Sequence, residues 1–342
     1  MEPNGRIALR VALVGAGRMG ALHARNAVAS PRMELRWIAD HDQSSAQRLA
    51  AEVRADVAPL EQVLGITDCD AIMVASSTSS HLPNVLAALK AGKAVFCEKP
   101  LSLSSADLVA ALPELERPGS PPLLIGFNRR FDPHLAALRA RLEGGEIGKI
   151  ETIHIINHDP APPSLNFIPR SGGLFKDFAV HDFDTAAWLL QEDIIEIFAM
   201  ASCLVDPAIG GLGDVDTAKI VMRSTGGAIG VISNSRRSGC GYDQRVEIFG
   251  SGGALRLGNV RENSVTRLDD AGGSRSPIEY SFGERYAAAY RAELDHFADV
   301  VELGIAPRIG VRDAIGALRL AEAAAESVKS GRVAVPLLQE LA

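Results

Sequence analysis

Val11-Ala12-Leu13-Val14-Gly15-Ala16-Gly17-Arg18-Met19-Gly20 sets a short apolar run directly before a GxGxxG loop. Residues 11–14 read as a strand and the residues after Gly17 as the start of a helix. In that context the glycines allow a tight turn and a close backbone approach to a pyrophosphate, whose charge is stabilised by the helix N-terminus. A glycine loop alone also suits a methyltransferase or an incidental turn. The discriminating residue is Asp40, twenty positions beyond Gly20 and at the end of a second predicted strand, Leu35–Ala39. A carboxylate there accepts hydrogen bonds from an adenosine ribose and repels a 2′-phosphate, which favours NAD over NADP. His41 and Arg48 are the neighbours that soften this preference.

Outward from the loop the same grammar continues. Predicted strands at Ala71–Ser76, Ala94–Cys97 and Leu123–Phe127 alternate with helical stretches, the pattern of βαβ units and a parallel sheet. Ser80–Ala91 reads as a helix closed by Gly92, and Pro113–Pro122 as a turn-rich connection. Residues 1–127 are therefore expected to form a Rossmann domain. Residues 128–342 read as an α+β domain on a large, mostly antiparallel open sheet. Predicted helices there cover Pro133–Leu142, Asp177–Leu190, Glu284–Leu303 and Val311–Ser330. The run Ile150–His158 alternates like a strand. Ala218–Arg223 with Ala228–Asn234, and Arg245–Phe249 with Ala254–Leu257, read as hairpins across glycine turns.

Composition narrows the function. The 342 residues carry a formal charge of −7, which disfavours nucleic-acid binding and a polybasic membrane surface. No run approaches the roughly 18 apolar residues of a membrane span. Met1–Arg10 shows no signal-peptide pattern, so a cytoplasmic protein is expected. Four cysteines without a CxxC pair read as buried reduced thiols, and eight scattered histidines without HxH or HExxH give no reason to expect a metal. Asp206, Asp214 and Asp216 read as a solvated loop.

Two further segments carry chemistry. Cys97-Glu98-Lys99-Pro100 ends the fourth predicted strand, so Lys99 emerges at the sheet edge where open α/β folds bind ligands, on a turn that proline stiffens. In Gly172-Gly173-Leu174-Phe175-Lys176-Asp177-Phe178-Ala179-Val180-His181-Asp182-Phe183-Asp184, a helix would set Asp177 and His181 four residues apart on one face. A carboxylate beside an imidazole builds a general base for an alcohol proton, or merely an ordinary helical ion pair. Ser76 and Thr78 follow the third strand on the ribose or nicotinamide side, with His81 nearby as a structural residue. Asn128, Arg129, Asn157, Asp159 and Tyr242 are candidates for holding a hydroxylated ring, although Asn157 and Asp159 also suit the turn into Pro160–Pro163.

Taken together, the chain resembles the Gfo/Idh/MocA oxidoreductase family. The motifs that carry this are GAGRMG at 15–20, Asp40, EKP at 98–100, GFNRRFD at 126–132 and GGLFKDFAVHDFD at 172–184, spread over nearly the full length. HDPAPP at 158–163 and GYDQRVE at 241–247 are similar to segments of its inositol 2-dehydrogenase group. The resemblance implies a Lys99–Asp177–His181 catalytic group. It also implies cofactor contacts from Gly15, Gly17, Arg18, Met19, Gly20, Asp40, Ser76, Thr78, Glu98 and Lys99. The implied reaction is NAD-dependent oxidation of myo-inositol to 2-keto-myo-inositol. The alternatives are another cyclitol or a pyranose sugar as substrate, or a noncatalytic NAD-binding regulator. The sequence departs from the group where His158 precedes Asp159 in place of the more usual Arg, and where Lys176 precedes Asp177; both changes bear on the substrate. An open antiparallel sheet face is an association surface, so a homo-oligomer, dimer or tetramer, is expected.

Overall fold

The computed structural model describes residues 8–270 and 272–337, so most of the Met1–Arg10 stretch read above lies outside them. The chain divides into two compact units. The first gathers the residues up to Asn128 with Ala289–Ile315. It holds β1 (Leu9–Val14), α1 (Arg18–Ala29), β2 (Met33–Ala39), α2 (Gln43–Val53), β3 (Asp56–Val57), α3 (Leu60–Leu64), β4 (Ala71–Val74), α4 (His81–Lys90), β5 (Ala94–Glu98), α5 (Ser105–Leu115) and β6 (Leu123–Gly126). The strands pair in parallel in the order β3-β2-β1-β4-β5-β6. The order reverses between β1 and β4, and ligands of such sheets bind at the carboxyl ends of the strands at that point. Strand residues such as Leu13, Ile72, Val95, Phe96 and Leu124 are fully buried, as expected of a parallel sheet covered on both faces.

The second unit comprises Arg129–Ala288 and Gly316–Ala342. Its elements are α6 (Pro133–Glu143), β7 (Ile150–His158), α7 (Ile168–Ser171), a π-helical turn over Leu174–Ala179, α8 (Val180–Leu190), β8 (Ile194–Ser202), α9 (Pro207–Gly211), β9 (Thr217–Ser224), β10 (Ile229–Ser235), β11 (Asp243–Gly250), β12 (Gly253–Leu257), the small pair β13 (Thr266–Asp269) and β14 (Gly272–Arg275), and α10 (Phe282–Arg285). Two long helices, α11 (Ala287–Leu303) and α12 (Val311–Ser330), close the chain. The large sheet runs β12-β11-β7-β10-β9-β8 and is antiparallel except for β7 with β10. Both predicted hairpins form, with Ile229 opposite Arg223 and Val246 opposite Leu257. One sheet face, with Ile153, Ile155, Ile197, Ile220 and Ile232, packs in a core with Leu138, Phe183, Leu189 and Leu320. Among the described residues no helix is long and apolar enough to cross a membrane.

Several expectations need correction. A division at 127/128 gives 289–315 to the second domain, whereas the fold returns this segment to the first. There Phe297 lies 6.0 Å from the Phe96 ring, Arg32 bridges Asp299 and Glu302 at 2.8 Å, and the Ile125 amide donates to the Ile309 carbonyl. The helix expected from Asp177 starts at Val180, because residues 174–179 wind as a π turn. Pro113 lies inside the last turn of α5 rather than in a loop. Cys69 and Cys97 are buried, but Cys203 is half-buried and Cys240 exposed. The three aspartates are no solvated loop: Asp216 is buried and accepts the Leu204, Val205 and Asp206 amides, while Asp206 caps α9.

Candidate active site

The first unit builds a cradle from its glycine loop. Gly15 adopts φ +106°, and a Cβ on it would stand 2.5 Å from the Ala75 carbonyl oxygen and the Ser76 amide; a Cβ on Gly20 would stand 1.9 Å from the Gly15 carbonyl oxygen. The loop is therefore closed to side chains where it turns between β1 and β4. A Cβ on Gly17 would meet nothing within 4 Å, so that residue leaves room outward. Gly17 also offers no side-chain cap and the first turn of α1 carries no acidic residue, which leaves the helix N-terminus suited to an anion. Arg18 is exposed and Met19 half-buried on that turn. Asp40 Oδ2 accepts the Ala16 amide at 2.6 Å and Oδ1 accepts the Asp42 amide at 2.8 Å, so the carboxylate is tied to the loop it was expected to accompany. His41 Nδ1 stands 2.9 Å from Asp40 Oδ1, whereas the Arg48 guanidinium donates to the Ser44 and Ser45 hydroxyls. These features fit a dinucleotide.

After β4, Ser76 is half-buried, and Thr78 opens a single 3-10 turn ahead of α4. His81 is buried between two carbonyls, its Nδ1 2.8 Å from Pro100 O and its Nε2 3.0 Å from Ser76 O. It thus ties the serine loop to the turn after β5. Burial holds the His81 imidazole below its ordinary pKa despite those two acceptors. On that turn the Lys99–Pro100 peptide is cis and Lys99 is half-buried. Glu98, expected at the cofactor, instead turns its carboxylate inward: Oε1 lies 2.6 Å from His23 Nε2 of α1, and Oε2 accepts the Lys99 amide at 3.2 Å. Asn128 is buried, with no hydrogen-bond partner for its Nδ2 among the described residues.

In the second unit Asp177 and His181 are both half-buried, the first on the π turn and the second in the opening turn of α8. The turn starts at Gly173, φ +78°, where a Cβ would come 2.7 Å from Asp214 Oδ1; the same oxygen accepts the Leu174 amide at 3.0 Å. π turns inside helices are frequent at functional sites because they re-aim side chains. The residues flanking His181 are pinned. Asp182, fully buried, accepts Arg129 Nη1 at 2.5 Å, Asn157 Nδ2 at 2.9 Å and Asn234 Nδ2 at 2.8 Å, while Arg130 grips Asp184 at 2.6 Å. Arg129 also donates to Gln244 Oε1 at 3.0 Å. Burial works against the Arg129 charge, yet Tyr286 and Asp182 hold its pKa above the ordinary value. Tyr242 is buried, packs edge-on to Tyr286 at 6.0 Å, and its hydroxyl is pushed well above the usual phenol range by burial. The structure therefore brings Arg129 and Asn157 together on Asp182. Asp159, half-buried, follows at the end of β7 with its amide on Ser235 O.

Residues 9–121 match a family model described as an oxidoreductase family with an NAD-binding Rossmann fold, and residues 135–256 match the Gfo/Idh/MocA C-terminal domain. A myo-inositol 2-dehydrogenase of Thermotoga maritima is 41% identical over 326 residues, 95% of this chain and 97% of that protein. The chain belongs to the Gfo/Idh/MocA oxidoreductase family. A solved myo-inositol dehydrogenase from Corynebacterium glutamicum is 37% identical with a TM-score of 0.90, covering 96% of this chain and 99% of that one. A scyllo-inositol dehydrogenase from Lactobacillus casei, solved with NAD(H) and scyllo-inositol, is 25% identical with a TM-score of 0.90, covering 96% and 99%. As in the family model, the first unit of this Gfo/Idh/MocA chain is an NAD-binding Rossmann domain.

Sequence reasoning missed Asp182, Asp184, Asn234, Gln244 and Tyr286. The adjacent arginines Arg129-Arg130 and the aspartates spaced Asp182-x-Asp184 are a matching charge pattern, but 53 and 54 residues of chain separate the partners.

Proposed function

We propose that the chain catalyses NAD-dependent oxidation of the axial secondary hydroxyl of myo-inositol to 2-keto-myo-inositol. The observation that carries this reading is the presence of a complete glycine cradle together with Lys99, Asp177 and His181 in a chain 41% identical to a myo-inositol 2-dehydrogenase. NAD, when bound, supplies the hydride acceptor. Gly15, Gly17, Arg18, Met19 and Gly20 hold the pyrophosphate, Asp40 the adenosine ribose, and Ser76 and Thr78 the nicotinamide side. His181 takes the hydroxyl proton, and Asp177 orients the imidazole and stabilises its protonated form. Lys99 hydrogen-bonds the reacting oxygen and offsets the alkoxide-like charge that develops there. Asn128, Asp159 and Tyr242 hydrogen-bond ring hydroxyls. Arg129 and Asn157, whose donors face Asp182, support that role from behind it.

A second substrate reading keeps the chemistry and changes the ring to another cyclitol or a pyranose. Two observations favour it: His158, between Asn157 and Asp159, is engaged with Ser233 Oγ at 3.0 Å, and Lys176, next to Asp177, pairs with Glu322 at 3.2 Å. The enzyme acts in the cytoplasm as a homo-oligomer, dimer or tetramer, joined through the open sheet face.

The test is the absorbance of reduced nicotinamide when the protein is mixed with NAD or NADP and myo-inositol, scyllo-inositol, D-chiro-inositol or glucose. Fastest NAD reduction with myo-inositol is expected. Reduction with another ring alone moves the substrate assignment to it, and NAD binding without turnover on any ring overturns the catalytic reading.

A further inference from the structure

Inward of the Lys99 turn lie three buried titratable groups that the chemistry above does not use directly. They are His23 of α1, Glu98 at the end of β5 and Glu293 of α11, and their ligand atoms lie within 4.8 Å of one another. Glu98 is held from two sides, by His23 Nε2 at 2.6 Å and by the Lys99 amide at 3.2 Å. Glu293 is different. It is fully buried, and neither of its carboxylate oxygens has a hydrogen-bond partner among the described residues.

The titratable groups beside it are Glu98 and His23; Cys97, whose thiol donates to the Glu98 carbonyl at 3.3 Å, and Tyr290 of α11, edge-on to His23 at 5.8 Å, border those two. The apolar Phe96 ring closes on His23 at 5.0 Å. Two ionised carboxylates this close in an apolar core repel, and only one of them has a histidine against it. Burial and the Glu98 charge both push the Glu293 carboxyl well above the ordinary range.

We propose that Glu293 is a positioning residue that keeps its proton at neutral pH, so that no second anion stands against the Glu98 carboxylate that holds the Lys99 amide. This rests on the catalytic reading of Lys99 above. Three elements meet at that proton: the helix that opens on the glycine loop, the strand that ends in Lys99, and α11. Loss of the proton would set two carboxylates against each other beside the Lys99 backbone and loosen the turn. The same three groups are also the ligand types of a divalent cation. The direct 2.6 Å His23–Glu98 contact favours a proton, since an ion between those atoms would force them apart.

The test compares wild type with Glu293→Gln and Glu293→Ala. A raised folded pKa contributes stability that is present below the unfolded value and is lost as pH rises toward the folded one. The midpoint of Glu293→Gln should therefore gain on wild type by about 2 °C per pH unit as pH rises above the ordinary carboxylate range. In turnover, Glu293→Ala should lose about tenfold in kcat with the KM for NAD little changed, and Glu293→Gln should restore most of it and remove the alkaline fall of kcat. A pH-independent midpoint difference, equal losses in the Gln and Ala variants, or a stoichiometric divalent metal in wild type that Glu293→Gln loses would each overturn the proposal. Should no ring be oxidised by wild type, the catalytic reading fails while the midpoint series and metal analysis still decide the proton.

Discussion

Asp40 serves two masters, which makes it the most informative single residue of the cofactor half. One oxygen fastens the Ala16 amide of the glycine loop and the other accepts the Asp42 amide, and the proposed function gives the same carboxylate the adenosine ribose. Replacing it with serine removes the charge that repels a 2′-phosphate, so Asp40→Ser should raise the NADP/NAD ratio of kcat/KM by at least about tenfold, some 1.4 kcal/mol of discrimination. An unchanged ratio in steady-state kinetics would show that the carboxylate does not read the ribose. His181 makes the complementary case in the other unit. His181→Ala should lower kcat by about 10²–10⁴-fold while NAD affinity, measured by calorimetry, stays close to wild type. Comparable turnover would take the base role away from it. Both residues stand out as candidates because their motifs are local: GxGxxG with an acid after the next strand, and a histidine close behind an aspartate. Glu98 was legible only as a position. Its partner His23 is 75 residues away and Glu293 is far later in the chain, so nothing in the sequence around EKP signalled that the carboxylate turns inward.

At the scale of elements, alternation and glycine punctuation marked most strands and both hairpins, since each depends on neighbours a few residues apart. The π turn was not legible, because what sets it is the Gly173 backbone seated on Asp214, 40 residues later. The same holds for the connection from β8 to β9, read from its glycines and acids as solvated. There Asp216 is buried, and burial pushes its carboxyl up, but the Leu204, Val205 and Asp206 amides outweigh this and hold it at about 2 against an ordinary 3.8. A depressed carboxylate contributes stability that is present above its unfolded pKa and is lost as pH falls through the folded one. Wild type should therefore lose stability between about pH 4 and about pH 2 in a leg that Asp216→Asn lacks, while the variant starts lower at neutral pH by about 1–3 kcal/mol. Urea midpoints across that range read both. Parallel acid profiles would show that Asp216 does not carry the connection.

For the whole molecule, the open question is what covers the second face of the large sheet. Register places Phe198 beside Val221, Val221 beside Val231, Val231 beside His154 and His154 beside Glu247, all on the face opposite the buried isoleucines. On that face Met200 is 68% exposed, Phe249 51%, Val221 44% and Phe198 36%, apolar side chains set among the ion pairs Glu196–Arg223 and Glu247–Arg256. Each apolar side chain of that size gains about 1.5–3 kcal/mol when taken out of water, so several in one row favour association of copies of the chain. A charge placed in the middle of such a row would have to be desolvated without a partner, at a cost that exceeds the gain of any one contact. Wild type should run as a dimer or tetramer in light scattering and the double variant Phe198→Glu/Val221→Glu as a 36.2 kDa monomer, with the fold intact by circular dichroism. A wild type already monomeric at micromolar concentration, or a variant that keeps the wild-type mass, would mean that the face is not the interface.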